Sequence, residues 1–489
     1  MISSNLNLEP LANIRQDDIE YGLVRTAAGV RLAILAPREW AGLAEFDGEV
    51  TQQGQQTLLI GPLSSTNAAS LRLRLTWLMP KLLGLRTSAG LGDRLGLATP
   101  GHIRAIRGTH GRIAPIFAQQ SMREMARTGR TPQQVMDDAM WGIFSEGWQA
   151  GFGADADHLK TTEDIDVCLA AGFTFFTIDP GAHVDNRAEI ASLSELRELA
   201  ASLPDEVQPA CSGLGGKTIL IEELEIALSE AVLLKAAVKY GRAIAHVADM
   251  YRHLSQAAGT RSFELEVSVD ETDQPTSHAE HVYIASELKR LGVNWVSLAP
   301  RYVGRFEKGV DYIGDLAAFE QDFGGHVAIA NHYGPYKLSL HSGSDKFSIY
   351  PIAGRLSHGL VHLKTAGTSY LEALRTIASV EVDLFREIYS FARERYETDK
   401  TSYHVSAQLG RAPLPEAVTE WPGLLDQFDA REILHVTFGS VLTEKDSAGQ
   451  KRFRDRIFAV LNANAEAYAA NLEKHFSRHL RPFTGLASE

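Results

Sequence analysis

From about residue 84 the chain alternates short runs of apolar, β-branched residues with longer segments of helical periodicity. This is the pattern of a parallel α/β fold, in which each strand is followed by a helix that carries the chain back. The strand-like runs are Ile113–Gln119, Gly151–Asp157, Phe173–Asp179, Phe263–Val269, Trp295–Leu298, Lys337–His341 and Leu360–Lys364, with an eighth near Leu85–Leu97. The helices between them carry end signals. Thr131-Pro132 opens Thr131–Gln149 as a cap followed by a first-turn proline. Gly172 closes Thr162–Ala171, and Gly292 closes Ser277–Leu291.

Eight such repeats predict an α/β chain built on a (β/α)8 TIM-like barrel over residues 84–370. A helix-rich insertion is expected at about 188–259. Residues 1–83 read as an N-terminal lobe, with strands at Arg31–Leu35 and Thr57–Ile60 and a helix at Ala69–Leu83. Residues 371–489 read as a helical C-terminal extension.

The polar residues fall where a barrel places its chemistry, at the C-terminal ends of the strands. The third strand ends in GADADHLK, with Asp155, Asp157, His158 and Lys160, and the fourth ends at Asp179. The fifth aligns Glu264, Glu266, Ser268 and Asp270 on one face by period-two alternation. Arg301 follows the sixth. The seventh aligns Lys337, Ser339 and His341 and runs into a Ser/Gly turn with Lys346, and the eighth aligns His362 and Lys364. One Asp at a strand end is often only a helix cap, and one His is more often a satisfied core or surface residue than a ligand. Here, however, carboxylates, imidazoles and lysines recur at several strand ends. Crowding them into one mouth is costly unless a metal or substrate pairs them.

Other apparent motifs do not hold. Gly90, Gly92 and Gly96 are spaced one residue too far apart for a dinucleotide fingerprint. Cys211 stands where the phosphate loop ending in Gly216-Lys217-Thr218 would need its leading glycine. No G-x-S-x-G elbow is present. His278 and His281 share a helix face beside charged residues and read as solvated, and His332 reads as a helix-end residue.

With 489 residues, 44% of them hydrophobic, the chain can bury a large core. A net charge of -13 opposes nonspecific nucleic-acid binding, although an anionic substrate needs only local positive charge. Two cysteines exclude a disulfide framework and fit a reducing compartment. With no signal-like N-terminus and no long apolar run, a cytoplasmic enzyme without a membrane partner is expected.

The phrases GLGDRLGLATPGH, GFGADADHLK, FTIDPGAHVDN, SLHSGSDKFS and HLKTAGTSYLEA together resemble the bacterial tagaturonate/fructuronate epimerases, from about Leu83 to Leu374. The resemblance implies a divalent-metal enzyme on a barrel that interconverts two ketouronates differing at the ketose C4. That carbon is not adjacent to the C2 carbonyl, so its hydrogen is not acidified directly. Hydride transfer would need a nucleotide acceptor, for which there is no fingerprint. Retro-aldol cleavage of C3–C4 followed by recombination needs neither. On this reading His158, His341 and His362 are the expected ligands of Zn, Ni, Mn or Co, with Glu266 a possible fourth. Asp157 and Glu266 are the expected acid/base pair. Lys160, Arg301, Lys346 and Lys364 are the candidates for holding the substrate carboxylate. A class II-type sugar aldolase or ketose isomerase on the same barrel, and a non-catalytic sugar-acid-binding barrel, are the competing readings.

Overall fold

The computed structural model describes residues 10–27, 29–365 and 367–485; the N-terminal stretch read for a signal lies largely outside them. Eight parallel strands close into a barrel: β1 (Ser88–Gly90), β2 (Ala114–Ser121), β3 (Gly153–Leu159), β4 (Phe175–Ile178), β5 (Glu264–Val269), β6 (Ser297–Pro300), β7 (Lys337–Leu340) and β8 (Val361–Lys364). Closure is made by β8 against β1, where His362 stands opposite Ser88. The chain is thus the expected (β/α)8 barrel.

The expected end signals operate. Thr131 and Gln134 form a reciprocal capping box on helix Pro132–Ser145, and Ser277 and Glu280 do the same on His278–Arg290. Gly172 and Gly292 both take positive φ just past their helices.

Before the barrel, five antiparallel strands from Pro10 to Gly61 form one sheet. The helix expected at Ala69–Leu83 instead runs Ser65–Arg74. Its N-cap Ser64 accepts a bond from the Asn67 amide, which fixes the start four residues earlier than hydrophobicity alone suggests.

Between β4 and β5 the insertion is not wholly helical. It contains a two-stranded hairpin, Lys217–Ile221 with Leu224–Leu228, turning at Glu222 and Glu223, before the 29-residue helix Glu230–Ala258 returns to the barrel. After β8, helices Thr368–Val380 and Val382–Asp399 lead to a final helix, Ala465–Leu480, which packs on Thr99–Arg107. Gly101 permits that approach, since a Cβ there would lie 2.5 Å from the Cβ of Leu472. Among the described residues no helix is long and apolar enough to cross a membrane.

Candidate active site

The barrel interior is ionic. In β5 the apolar Leu265, Val267 and Val269 face the helices, which leaves Glu264, Glu266 and Ser268 to fill the inside. Deepest, Glu264 accepts bonds from the amides of Leu83 and Gly84, tying the segment that enters the barrel to its floor. Lys337 donates to Ser88 Oγ at 3.0 Å in the same region. His362 lies in this layer as well. Its Nδ1 is 2.9 Å from Ser88 Oγ and its ring is 5.4 Å from that of Phe175.

One layer higher, Lys364 Nζ is 2.9 Å from Asp155, 2.7 Å from Asp157, 2.8 Å from Glu266 and 2.6 Å from Thr177 Oγ1. Burial alone would strip the charge from this lysine, but Asp155, Asp157 and Glu266 hold its pKa well above the ordinary value. Burial would likewise raise the pKa of Asp157 and Glu266. The cations around them overcome it: His158 and Lys364 for Asp157, Lys364 and His341 for Glu266. Both stay well below the usual carboxylate range. Asp155 carries the excess negative charge. Its burial, together with Asp157 and Glu266, pushes it up to about 7 despite Lys364.

At the mouth, His158, Asp270 and His341 each bring one ligand atom within 4.8 Å of the others. Each imidazole is backed by a carboxylate. His158 Nδ1 donates to Asp157 Oδ1 at 2.6 Å, and His341 Nε2 donates to Glu266 Oε1 at 2.7 Å. The opposite nitrogen of His341, Nδ1, is 3.2 Å from Asp270 Oδ1. A carboxylate behind each imidazole fixes its tautomer and raises its basicity, the usual second layer of a transition-metal site. Two imidazoles and one carboxylate with open positions suit Zn, Ni, Co or Mn. His158 also approaches Asp179 and Glu271, but Lys160 Nζ already sits 3.0 Å from Asp179 Oδ2 and supplies a cation there.

Above this group opens a cavity of about 700 Å³ with Asp270 and His341 on its lining. Arg123, Arg301 and Lys308 bring positive charge to its walls. Among the described residues Arg301 and Lys308 make no side-chain hydrogen bond or ion pair, while Arg123 lies 3.6 Å from Glu271. The C-terminal extension supplies the remaining wall through Thr401, Tyr403, His404 and Ser406.

The structure therefore brings Asp157, His158, Glu266, His341 and Lys364 into one cluster. His362 stays a layer below, outside the His158–Asp270–His341 group. Of the four expected cations, Arg301 faces the cavity and Lys160 stands half exposed at the rim on Asp179. Lys364 is locked among carboxylates. Lys346 is fully buried and donates to the carbonyls of Glu307, Val310 and Ser344 at 2.6, 2.6 and 2.9 Å. It braces the loop that carries Lys308 rather than meeting the cavity.

Sequence reasoning left out Asp270, Arg123, Lys308 and the 401–406 wall. Only Asp270 had a signal, as the last member of the inward row of β5. The reading of His281 as solvated is also corrected. It is fully buried, because helix Leu316–Tyr333 packs over it, whereas His332 does lie in that helix's last turn.

Comparison with known proteins identifies the family. The family described as tagaturonate epimerase matches residues 14–483. A tagaturonate/fructuronate epimerase from Thermotoga maritima is 42% identical over 467 residues, covering 95% of this chain and 94% of its own. Crystal structures of a fructuronate-tagaturonate epimerase from Cohnella laeviribosi superpose with a TM-score of 0.92 at 36% identity. The native one covers 99% of this chain and 98% of its own, and another holds glycerol. The chain belongs to the tagaturonate epimerase family.

Proposed function

We propose that the protein interconverts D-tagaturonate and D-fructuronate by inverting the ketose C4, through retro-aldol cleavage and recombination in the barrel mouth. The observation that carries this reading is the group His158, Asp270 and His341, with each imidazole backed by a carboxylate, on the floor of a cavity walled by cations. The resident ion would be divalent, held by those three side chains. When bound, it supplies positive charge for the negative charge that develops on the C2 and C3 oxygens.

The chain's own groups do the rest. Asp157 and Glu266 do not line the cavity, and we read them as carboxylates that orient the two imidazoles. The C4 hydroxyl proton needs an acceptor that reaches the substrate. Glu271 lines the cavity and is held only loosely, 3.6 Å from Arg123 and 3.9 Å from Lys160. Loss of that proton turns the C4 alkoxide into an aldehyde as the C3–C4 bond breaks and its electron pair passes to C3. The aldehyde rotates to present its other face. The bond re-forms, and C4 regains its proton on oxygen with inverted configuration.

Arg301 and Lys308 are free to grip the carboxylate of the uronate and keep the three-carbon aldehyde from leaving. Such an enzyme of sugar-acid metabolism fits the cytoplasm. The test is incubation of the metal-loaded protein with fructuronate and NMR of the products. Tagaturonate as sole product supports the reading. Accumulated three-carbon fragments would make it an aldolase, and a moved carbonyl would make it an isomerase of another kind.

A further inference from the structure

On the outside of the barrel, three side chains with no part in the reaction above converge between two helices. His278 opens helix His278–Arg290, and Asp322 and His326 stand one turn apart on Leu316–Tyr333. One ligand atom from each lies within 4.8 Å of the others. Asp322 Oδ1 is the common neighbour, 3.7 Å from His278 Nε2 and 3.6 Å from His326 Nε2. Two ligands each about 2.0–2.1 Å from a tetrahedral ion stand roughly 3.4 Å apart. The two distances to Asp322 Oδ1 therefore match to within a few tenths of an ångström.

The hydrogen-bonding of His326 is the second observation. It is fully buried, and its Nε2 has no hydrogen-bond partner. Its Nδ1 is 2.8 Å from His281 Nδ1, and His281 Nε2 is 2.8 Å from the Tyr336 hydroxyl. One of the two facing Nδ1 atoms must carry the proton. If His326 donates to His281 and His281 donates to Tyr336, Nε2 of His326 is left as a bare lone pair. In the reverse order Nε2 carries a proton for which Asp322 Oδ1 at 3.6 Å is out of reach and the Thr276 carbonyl is a neighbour without good hydrogen-bond geometry. A buried polar atom without a partner is costly in either case. The first arrangement, an imidazole anchored through Nδ1–H with Nε2 open, is the one a bound metal ion needs.

Asp322 is similarly prepared, because its Oδ2 accepts from the Val303 amide at 3.1 Å and leaves Oδ1 to the group. His278 Nε2 donates to the Asp322 carbonyl at 3.0 Å, a bond that ion binding would replace.

We propose that His278, Asp322 and His326 form a second binding site, structural rather than catalytic, for a divalent ion of the zinc class. Its role follows from what it touches. Through Val303, Asp322 holds the segment after β6, and the Tyr302 ring packs 5.5 Å from that of His326. Arg301 and Tyr302 line the substrate cavity. An ion here would pin the helix pair and, with it, the loop that presents Arg301.

The experiment is zinc titration of chelator-stripped full-length protein, with bound metal counted by elemental analysis after gel filtration and thermal melting followed in parallel. The wild type should bind two equivalents per chain. His278→Ala, which removes a partly buried side chain in the first helical turn, and Asp322→Asn, which keeps an oxygen for Val303, should each bind one. Both should also lose part of the zinc-induced rise in Tm. His341→Ala should retain the equivalent that these two lose. If His278→Ala and Asp322→Asn both keep the wild-type stoichiometry, the proposal is overturned. A single wild-type equivalent that survives His341→Ala and disappears in His278→Ala would uphold this site and reject the ion in the barrel mouth.

Discussion

His158 and Asp157 are neighbours in the chain, yet His158 Nδ1 donates to Asp157 Oδ1 at 2.6 Å and both side chains serve the barrel mouth. Strand alternation would send one of them to the helix layer. His158 avoids this by taking φ of 56° where the pairing of β3 with β4 shifts register between Ala156 and Leu159. A left-handed non-glycine residue costs about 1–3 kcal/mol, and such strain concentrates at functional sites.

Asp157→Asn and Glu266→Gln should therefore act on the metal first. If these carboxylates orient the imidazoles, each variant loses about 10–100-fold in metal affinity and recovers most activity when metal is in excess. A kcat lowered by about 10²–10⁴-fold at full metal occupancy would restore them as the acid and base. Titration by elemental analysis beside kcat separates the two. Exhaustive chelation of the wild type should abolish turnover, with zinc, manganese, nickel or cobalt restoring it.

Glu271→Gln should lower kcat by about 10²–10⁴-fold with metal content and fold unchanged. Turnover near the wild-type value would exclude Glu271 as the proton acceptor.

The cations should divide into two groups. Arg301→Met and Lys308→Met remove free charges from the cavity wall, and each should lower kcat/KM for fructuronate about ten- to hundred-fold more than for fructose or tagatose, which lack the carboxylate. Lys364→Met instead strands three buried carboxylates and should destabilise the fold by about 3–5 kcal/mol. Lys346→Met deprives three carbonyls of their donor and should destabilise by at least about 1–3 kcal/mol. Denaturant melts and paired-substrate kinetics distinguish the groups.

Stability should fall as pH rises from about 4.5 to about 8. Burial, with Glu307 beside it, raises the Glu432 carboxyl to about 8. Across that window the folded protein keeps a proton that the unfolded chain has released, so the stabilisation is full below the unfolded pKa and gone above the folded one. Glu432→Gln should flatten this part of the profile and melt higher than the wild type at pH 8–9. An unchanged slope in the variant would assign the dependence to other groups.

Much of the site could be read because strand alternation exposes whole inward rows: Glu264, Glu266, Ser268 and Asp270, or Lys337, Ser339 and His341. Alternation does not give depth. His362 and Lys364 share a row, but only Lys364 rises to the layer of Asp157 and Glu266. Side chains that reach back into the fold are equally hidden. Lys346 in a Ser/Gly turn resembles a free surface charge until its three carbonyl partners are seen. The hairpin at 217–228 was missed because its strands are short, and two mixed runs of five residues, KTILI and LEIAL, inside a helical stretch carry no decisive period. Arg123 stands in a seven-residue helix, Met122–Thr128, too short to show a face by its period, and Lys308 in an irregular segment, and only the closed barrel brings them to one wall.

The wall formed by Thr401, Tyr403, His404 and Ser406 has a consequence for synthesis. The eighth strand ends at Lys364, so all eight strands are made, and emerge from the ribosome, ahead of this wall. The nascent chain can gather the side chains of the barrel mouth while the cavity above them is still open on one side. Domains generally fold from the N-terminal end during translation. A nascent chain whose eighth strand has just cleared the ribosome, with residues 401–406 still inside it, would thus display the barrel mouth without its last wall.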